Sequence, residues 1–405
     1  MPIRIDSICL ILDRELIMLE SRPVYFPGLN GVRFIAAFLV LLDHTELFKG
    51  YFGYKVFWPE KTSAHLGSLG VTIFFVLSGY LITYLLLMEK RSSISIKNFY
   101  IRRILRIWPL YYLIVVLSFF IIPHINFFSV PFYTEDINQN FALKLTLFSC
   151  LVANVAFVFL PTVAFGNVLW SVSVEEQFYL IWPHIIKYFK NTLLALISLL
   201  AIYMIVRTGI TIDLLSIKKF LPHGIDELME RTRISCMIIG GIGAYIVFNK
   251  ISFITNIIFS RYIQIAVLAT FMLIFFDLIH FPFYGLVKTE FTAFVIMLCL
   301  LNISCNPKSL VKLENFFFIF LGKISYGIYV YHLFAVVICI RLFSNFYPSS
   351  FGSSHYLWDI SLLVSITILT ILIANISYVF LESKILKRKI KYSTVISGDQ
   401  VKSHV

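Results

Sequence analysis

Arg33 and His44 lie eleven positions apart in an apolar run that opens on Gly28-Leu29-Asn30-Gly31-Val32. Eleven helical residues turn about 1100°, roughly 20° past three full turns, so both side chains share a face about 16 Å apart along the axis. A guanidinium grips anions, and an imidazole with a free pKa near 6.5 suits general-base work. The plainer alternative is an interfacial anchor and an interhelical hydrogen bond. A second group is Arg102, Arg103 and Arg106, within Tyr100-Ile101-Arg102-Arg103-Ile104-Leu105-Arg106-Ile107-Trp108-Pro109. Arg102 and Arg106 share a face at i,i+4, and with Arg33 this cluster could bind a polyphosphate, because guanidinium forks match phosphate oxygens in pairs. The alternative is a cytoplasmic anchor with an aromatic belt.

Three further groups follow. Glu175 and Glu176 are adjacent carboxylates in Trp170-Ser171-Val172-Ser173-Val174-Glu175-Glu176-Gln177-Phe178-Tyr179, with Glu175 on the face of Ser171 and Tyr179. Charges at membrane depth cost about 2.5–3.5 kcal/mol each on the insertion scale, so the pair implies a function or an ion-pair partner. Ser325, Tyr329 and His332 fall on one face by i, i+4, i+7 spacing. Ser78-Gly79, closing Gly70–Gly79, gives a small patch for helix packing or a ligand.

The elements that must hold these groups are membrane helices. Of 405 residues 59% are hydrophobic and 14% charged, against about a quarter charged in soluble domains. That excludes a soluble enzyme and a disordered chain. The net charge of +12 then reads as an orientation signal toward anionic membrane lipids, with no nucleic-acid partner. The expected fold is an all-α polytopic integral membrane protein. Eleven apolar segments are candidates: 32–48, 70–88, 104–122, 141–160, 168–186, 192–209, 234–248, 262–279, 290–304, 316–340 and 357–380. The basic 89–106 connection and the tail after Leu381 belong inside, and the 123–142 connection, with Glu135 and Asp136 and no Lys or Arg, outside. An odd number of crossings must join them, so one segment does not span. The segment 141–160, interrupted by Lys144 and Asn154, is the one to drop, as re-entrant or shielded on the outer face. About ten transmembrane helices with both termini cytoplasmic result, and most of the 34 Lys and Arg then lie inside.

Residues 1–27 read as a leader, amphipathic or translated from upstream with Met18 as a start; 28–381 form the membrane domain and 382–405 a basic cytoplasmic tail with a polar, frayed end. The six cysteines show no CxxC pairing, so neither a disulfide framework nor a metal site is expected. There is no internal repeat.

Taken in order, these segments resemble the membrane acyltransferase-3 family. Gly28–Gly31 with Arg33 and His44 is similar to its GLRG-like start and Arg-x10-His. Phe74–Gly79 resembles its FFVLSG element, Arg102–Tyr111 its RRxxRIxPxY element, Trp170–Tyr179 its WSLSVEEQFY element and Ser325–His332 its SYxxYxxH element. The resemblance implies a membrane O-acyltransferase of the plasma (inner) membrane. It would move an acyl group, acetyl foremost, from acyl-CoA to a sugar hydroxyl. The acceptor would be a lipid-linked or surface glycan such as lipopolysaccharide O-antigen, capsule or exopolysaccharide. It implies further that Arg33, Arg102, Arg103 and Arg106 hold the phosphates of acetyl-CoA. His44 would act as the base or carry the acyl group, Glu175 would orient a catalytic histidine, and His332 would join the catalytic set. Ser78, Ser171, Glu176 and Tyr329 would line the substrate path.

Three departures stand out: Asn30 in the first turn, Asp43 before His44, and a longer leader. The chain stops soon after the last helix, so the single-domain form without a C-terminal SGNH-type hydrolase is expected. Macrolide, small-metabolite, lipid and peptidoglycan acceptors stay open. The rival classes are a transporter or flippase, against which no inverted repeat is visible, and a structural or sensory protein, which leaves Glu175-Glu176 and the basic cluster unused.

Overall fold

The computed structural model describes residues 24–91, 95–134, 137–213, 221–279, 281, 287–347 and 353–392. Helices α1 (Leu29–Tyr51), α2 (Glu60–Arg91) and α3 (Ile96–Val116) come first, and α3 runs on through a π-turn at Leu117–Ile121. Two short helices follow, α4 (Phe141–Ser149) and α5 (Ala153–Phe159), then α6 (Leu169–Tyr188), α7 (Thr192–Thr211), α8 (Ile225–Thr232) and α9 (Ile234–Phe248). The chain continues as α10 (Ser252–Ile258), α11 (Arg261–Phe275), α12 (Lys288–Cys305), α13 (Phe316–Lys323) and α14 (Ser325–Phe343). It closes on α15 (Ser353–Ser377), a π-turn at Tyr378–Glu382 and α16 (Ser383–Lys389). Among the described residues there is no strand, so backbone polar groups are satisfied within each helix, as an apolar solvent demands.

Seven helical spans among the described residues are long and apolar enough to cross a membrane, and the pair α10–α11, bent by 61°, makes an eighth. Helices α1 and α6 have 23 and 20 residues but carry Arg33, Asp43, Glu46 and Lys49, and Glu175 and Glu176. Their polar and charged content, rather than their length, keeps them out of that set. The segment 141–160 is α4 and α5, of 9 and 7 residues, each too short to cross about 30 Å of hydrocarbon. Its polar groups meet protein: Lys144 is fully buried, and Gln177 donates to the Leu151 carbonyl at 3.0 Å and to Asn154 Oδ1 at 2.8 Å. The expected single segment 316–340 is divided at Ile324, where Ser325 Oγ bonds the Gly322 carbonyl at 2.8 Å. Residues 1–23 of the expected leader and 393–405 of the expected tail lie outside the described residues.

Contacts between connections sort the helix ends into two sets. One joins Gly28 to Glu314, Lys90 to Phe189 and Thr192, and Leu310 to Gln264. The other joins Lys55 to Tyr347, His65 to Ile274, Lys288 to Asp277, and Arg341 to Ser129. The hydrophobic core runs between them, with α1 packed on α2, α13 and α14, and α2 on α9.

The α2–α9 crossing depends on missing side chains. A Cβ on Gly240 would overlap the Val76 carbonyl, and one on Gly79 the Met237 backbone, so the backbones meet as small residues allow in membranes. Overpacking such a contact costs at least about 1–3 kcal/mol. Gly240→Val is expected to abolish the monodisperse peak on size exclusion of detergent-extracted protein. Gly209→Val, where a Cβ would meet nothing within 4 Å, should leave it intact.

Candidate active site

The α1–α14 contact brings His44 and His332 together. Their rings stack with centroids 4.9 Å apart and planes 21° apart, and His44 Nδ1 lies 2.7 Å from His332 Nε2. His332 Nδ1 is 2.7 Å from the Tyr329 carbonyl oxygen. A carbonyl only accepts, so His332 carries its proton on Nδ1 and offers a lone pair at Nε2. His44 Nδ1 must then donate to it, which leaves the basic lone pair of His44 on Nε2. His332 is fully buried, whereas His44 is partly accessible. Of the two, His44 is the more accessible, and the Nε2 acceptor of His332 fixes the orientation of its ring.

Tyr329 joins this pair to a cavity of about 310 Å³. The Tyr329 hydroxyl lies 2.6 Å from Ser171 Oγ and donates to the Val168 carbonyl at 3.1 Å. Tyr329 and Ser171 both line the cavity; neither histidine does. The lining has an apolar part that includes Val71, Phe74, Phe75 and Val172, and a basic part made of Arg33, Arg103, Arg106, Lys323 and Lys389. Two carboxylates, Glu175 and Glu382, stand among these basic groups, which outnumber them by three. Arg103 is buried, rests on the faces of Phe99 and Tyr179 at 5.8 and 5.7 Å, and its Nε has no hydrogen-bond partner. A buried donor without an acceptor is costly, and an anionic ligand would supply one.

Local sequence explains the placement. Gly28 caps α1 in the left-handed conformation, φ 76°, where a Cβ would strike Ile303, and its N–H donates to Glu314 Oε2 at 2.7 Å. The first-turn Asn30 accepts from Arg33 Nη1 at 2.9 Å, which gives that departure from the family pattern a positioning role. Asp43, the second departure, faces α2 at Gly67.

The arrangement corrects three sequence expectations. Glu175 orients neither histidine: it accepts from the Tyr179 hydroxyl at 2.9 Å, and Tyr179 bonds Ser78. An i,i+4 tyrosine on its own helix captures it, one wall away from the histidines. Arg102 does not line the cavity. Glu89 at the end of α2 holds it in a buried ion pair, and its Nη1 donates to the Tyr392 carbonyl at 2.7 Å. Glu176 is likewise outside the lining and accepts from Trp108 Nε1 at 3.0 Å. Arg33, Arg103, Arg106, Ser78, Ser171, Glu175 and Tyr329 are brought to one cavity as a group. Lys323, Glu382 and Lys389 went unnoticed in the sequence. Glu382 carried a usable signal, a lone carboxylate closing an apolar run, whereas Lys323 and Lys389 looked like ordinary cytoplasmic lysines. Among the described residues no group of three or more His, Cys, Asp or Glu could hold a metal ion.

Comparison with known proteins gives the family. The chain is 28% identical over 383 residues to a peptidoglycan O-acetyltransferase, OatA, of Listeria monocytogenes, which covers 90% of this chain and 56% of that protein. It is 28% identical over 394 residues to the putative peptidoglycan O-acetyltransferase YrhL of Bacillus subtilis, covering 89% and 55%. It is 30% identical over 406 residues to an O-acetyltransferase, OatA, of Staphylococcus aureus, covering 91% and 58%. The chain thus spans somewhat over half the length of these relatives. No solved structure matches it. The acyltransferase-3 family, described as "Acyltransferase domain", matches residues 26–379, a stretch that holds the histidine pair and most of the cavity wall, and the chain belongs to that family.

Proposed function

We propose that the protein is a multi-pass O-acetyltransferase of the plasma membrane, moving an acetyl group from acetyl-CoA to a hydroxyl of a cell-surface glycan. The observation that carries this reading is the chain of contacts from the cationic cavity through Tyr329 to the His332–His44 pair. The phosphates of acetyl-CoA bind at Arg33, Arg103 and Arg106, where bidentate pairing is strongest. The thioester end lies toward Ser171 and Tyr329; either hydroxyl, on turning from its present partner, can donate its one hydrogen to the thioester carbonyl oxygen.

His44 Nε2 accepts the proton of the acceptor hydroxyl. The acceptor oxygen attacks the thioester carbonyl carbon, the carbon–sulfur bond breaks, and the CoA thiolate leaves and takes the proton back from His44. The imidazolium formed on the way is stabilised by the hydrogen bond to His332 and, behind it, the Tyr329 carbonyl, the part a carboxylate plays in other triads. The names of these relatives put peptidoglycan first among the acceptors to assay, ahead of lipopolysaccharide O-antigen, capsule and exopolysaccharide.

The topology that suits this reading has ten crossings with both termini cytoplasmic. The seven apolar spans, the bent pair, α1 and α6 together supply them. The sorted loop contacts support it, because each of these helices then runs between opposite sets. Lys323 and Lys389, which this topology puts at the cytoplasmic ends of their helices, belong to the cavity wall, on the side from which acetyl-CoA would arrive.

Three outcomes are expected. In membranes, His44→Ala lowers glycan acetylation at equal expression by about 10²–10⁴-fold, the usual share of a general base, and abolishes the acid limb of the pH–rate profile. His332→Ala follows it, while Glu176→Gln has a smaller effect; full activity in His44→Ala would rule the mechanism out. In intact cells of a cysteine-depleted background, Phe132→Cys should react with a membrane-impermeant maleimide and Lys308→Cys only after permeabilisation. The reverse pattern would invert the topology. Deletion of the gene should remove alkali-labile acetate from one surface-glycan fraction, and no change in any fraction would remove the acceptor class.

A further inference from the structure

Val24, Tyr25 and Phe26 precede the first helix and every motif picked out in the sequence, yet all three belong to the cavity wall. Their place is fixed from another part of the bundle. The Tyr25 hydroxyl and the Gly28 N–H both donate to the Glu314 carboxylate, the latter at 2.7 Å, and Glu314 stands in the connection between α12 and α13. Phe26 lines the cavity, whereas Tyr80 and Tyr84, whose rings meet its ring in T-shaped contacts at 5.2 and 4.8 Å, do not. They brace it from outside the lining. Tyr80 is itself fully buried, with its hydroxyl 3.2 Å from Cys305 Sγ.

Helix α2 gives the cavity an order. It contributes to the wall from Val71 to Leu85, about 21 Å of helix. Toward one end Phe74 packs on Tyr329 at 5.7 Å, beside the Tyr329–Ser171 hydroxyl pair. Further along, Ser78 bonds Tyr179, on whose face Arg103 rests at 5.7 Å. Toward the other end Tyr80 and Tyr84 meet Phe26, and Leu81 and Leu85 join the wall. Hydroxyls, guanidinium and aromatic ring thus follow one another along a single helix. Acetyl-CoA carries its groups in the same order: thioester, diphosphate, adenosine. An aromatic and aliphatic surface beyond the arginine offers nothing to a phosphate or a thioester. It suits a purine, whose faces stack on aromatic rings whatever its edges bond.

We propose that Tyr25 and Phe26 form the nucleoside subsite of the donor cavity, with the adenine of acetyl-CoA stacked on Phe26 and Glu314 as the positioning residue that holds the two rings at the wall. This rests on the donor reading above and extends it from the phosphates to the base. A base held alike in the ground and transition states lowers the donor KM and leaves kcat alone.

The test measures binding of two donors to the purified full chain by calorimetry: acetyl-CoA, and acetyl-phosphopantetheine, which keeps the thioester arm and one phosphate but has no nucleoside. Phe26→Leu keeps an apolar side chain and removes the flat ring. It is expected to weaken acetyl-CoA binding roughly 10- to 100-fold, the loss of one base–aromatic stack, and to leave acetyl-phosphopantetheine unchanged. Phe26→Trp should retain acetyl-CoA binding, and Phe132→Ala, at an exposed ring outside the lining, should change nothing. Glu314→Ala should raise the KM for acetyl-CoA at nearly constant kcat, with the KM for acetyl-phosphopantetheine unmoved; a merely structural defect would move both. Phe26→Leu binding acetyl-CoA as tightly as the unmodified protein, while Arg106→Gln is weakened, would overturn the subsite and leave the phosphate site standing. Equal losses for the two donors would overturn it as well, because the ring would then hold the fold and not the base. Absence of acetyl-CoA binding in the unmodified protein would overturn both the subsite and the donor reading.

Discussion

Charge inside hydrocarbon must be enclosed by protein, and α1 concentrates that demand. In 23 residues it carries Arg33, Asp43, His44, Glu46 and Lys49, several times the load a lipid-facing helix tolerates. It is therefore surrounded, with α2, α13 and α14 packed on it. Each ionisable group meets a partner or the cavity: Arg33 meets Asn30 and the cavity, His44 meets His332, and Lys49 meets Glu46 and Asp359 at 2.9 and 2.6 Å. Helices that carry little charge, such as α7 and α15, stay at the rim with broad apolar faces exposed.

The same enclosure sets up the chemistry. The hydroxyls of Ser171 and Tyr329 line the basic cavity, and Tyr329 links it to the histidine pair through hydrogen bonds rather than open space. The histidine pair is oriented by a backbone carbonyl, so no carboxylate is needed at its back. Glu175 is released for the cavity wall, where with Tyr179 and Ser78 it tempers a strongly cationic surface.

Much of this was legible in the residues. The Arg33–His44 spacing and the Ser325–Tyr329–His332 face both point inward as helical periodicity requires. The segment 141–160 was readable as an element that does not cross in one piece, because Lys144 and Asn154 interrupt it. What spacing could not show was pairing between helices. Arg102 shares a face with Arg106 in the sequence, but Glu89 captures it. Glu175 is adjacent to Glu176, yet only one of the two reaches the cavity. The break at Ile324 was hidden because no proline marks it; Ser325 Oγ takes the Gly322 carbonyl there instead. Lys389 was indistinguishable from its neighbours until the tail was seen folded back on α3.

The most direct test of the central claim is an experimental structure of the full chain with a non-transferable acetyl-CoA analogue, in which methylene replaces sulfur. The account predicts phosphate density bounded by Arg33, Arg103 and Arg106, with the acyl carbonyl beside Ser171 and Tyr329 on the side of His44. Analogue density elsewhere, with that cavity closed or occupied by lipid, would contradict it.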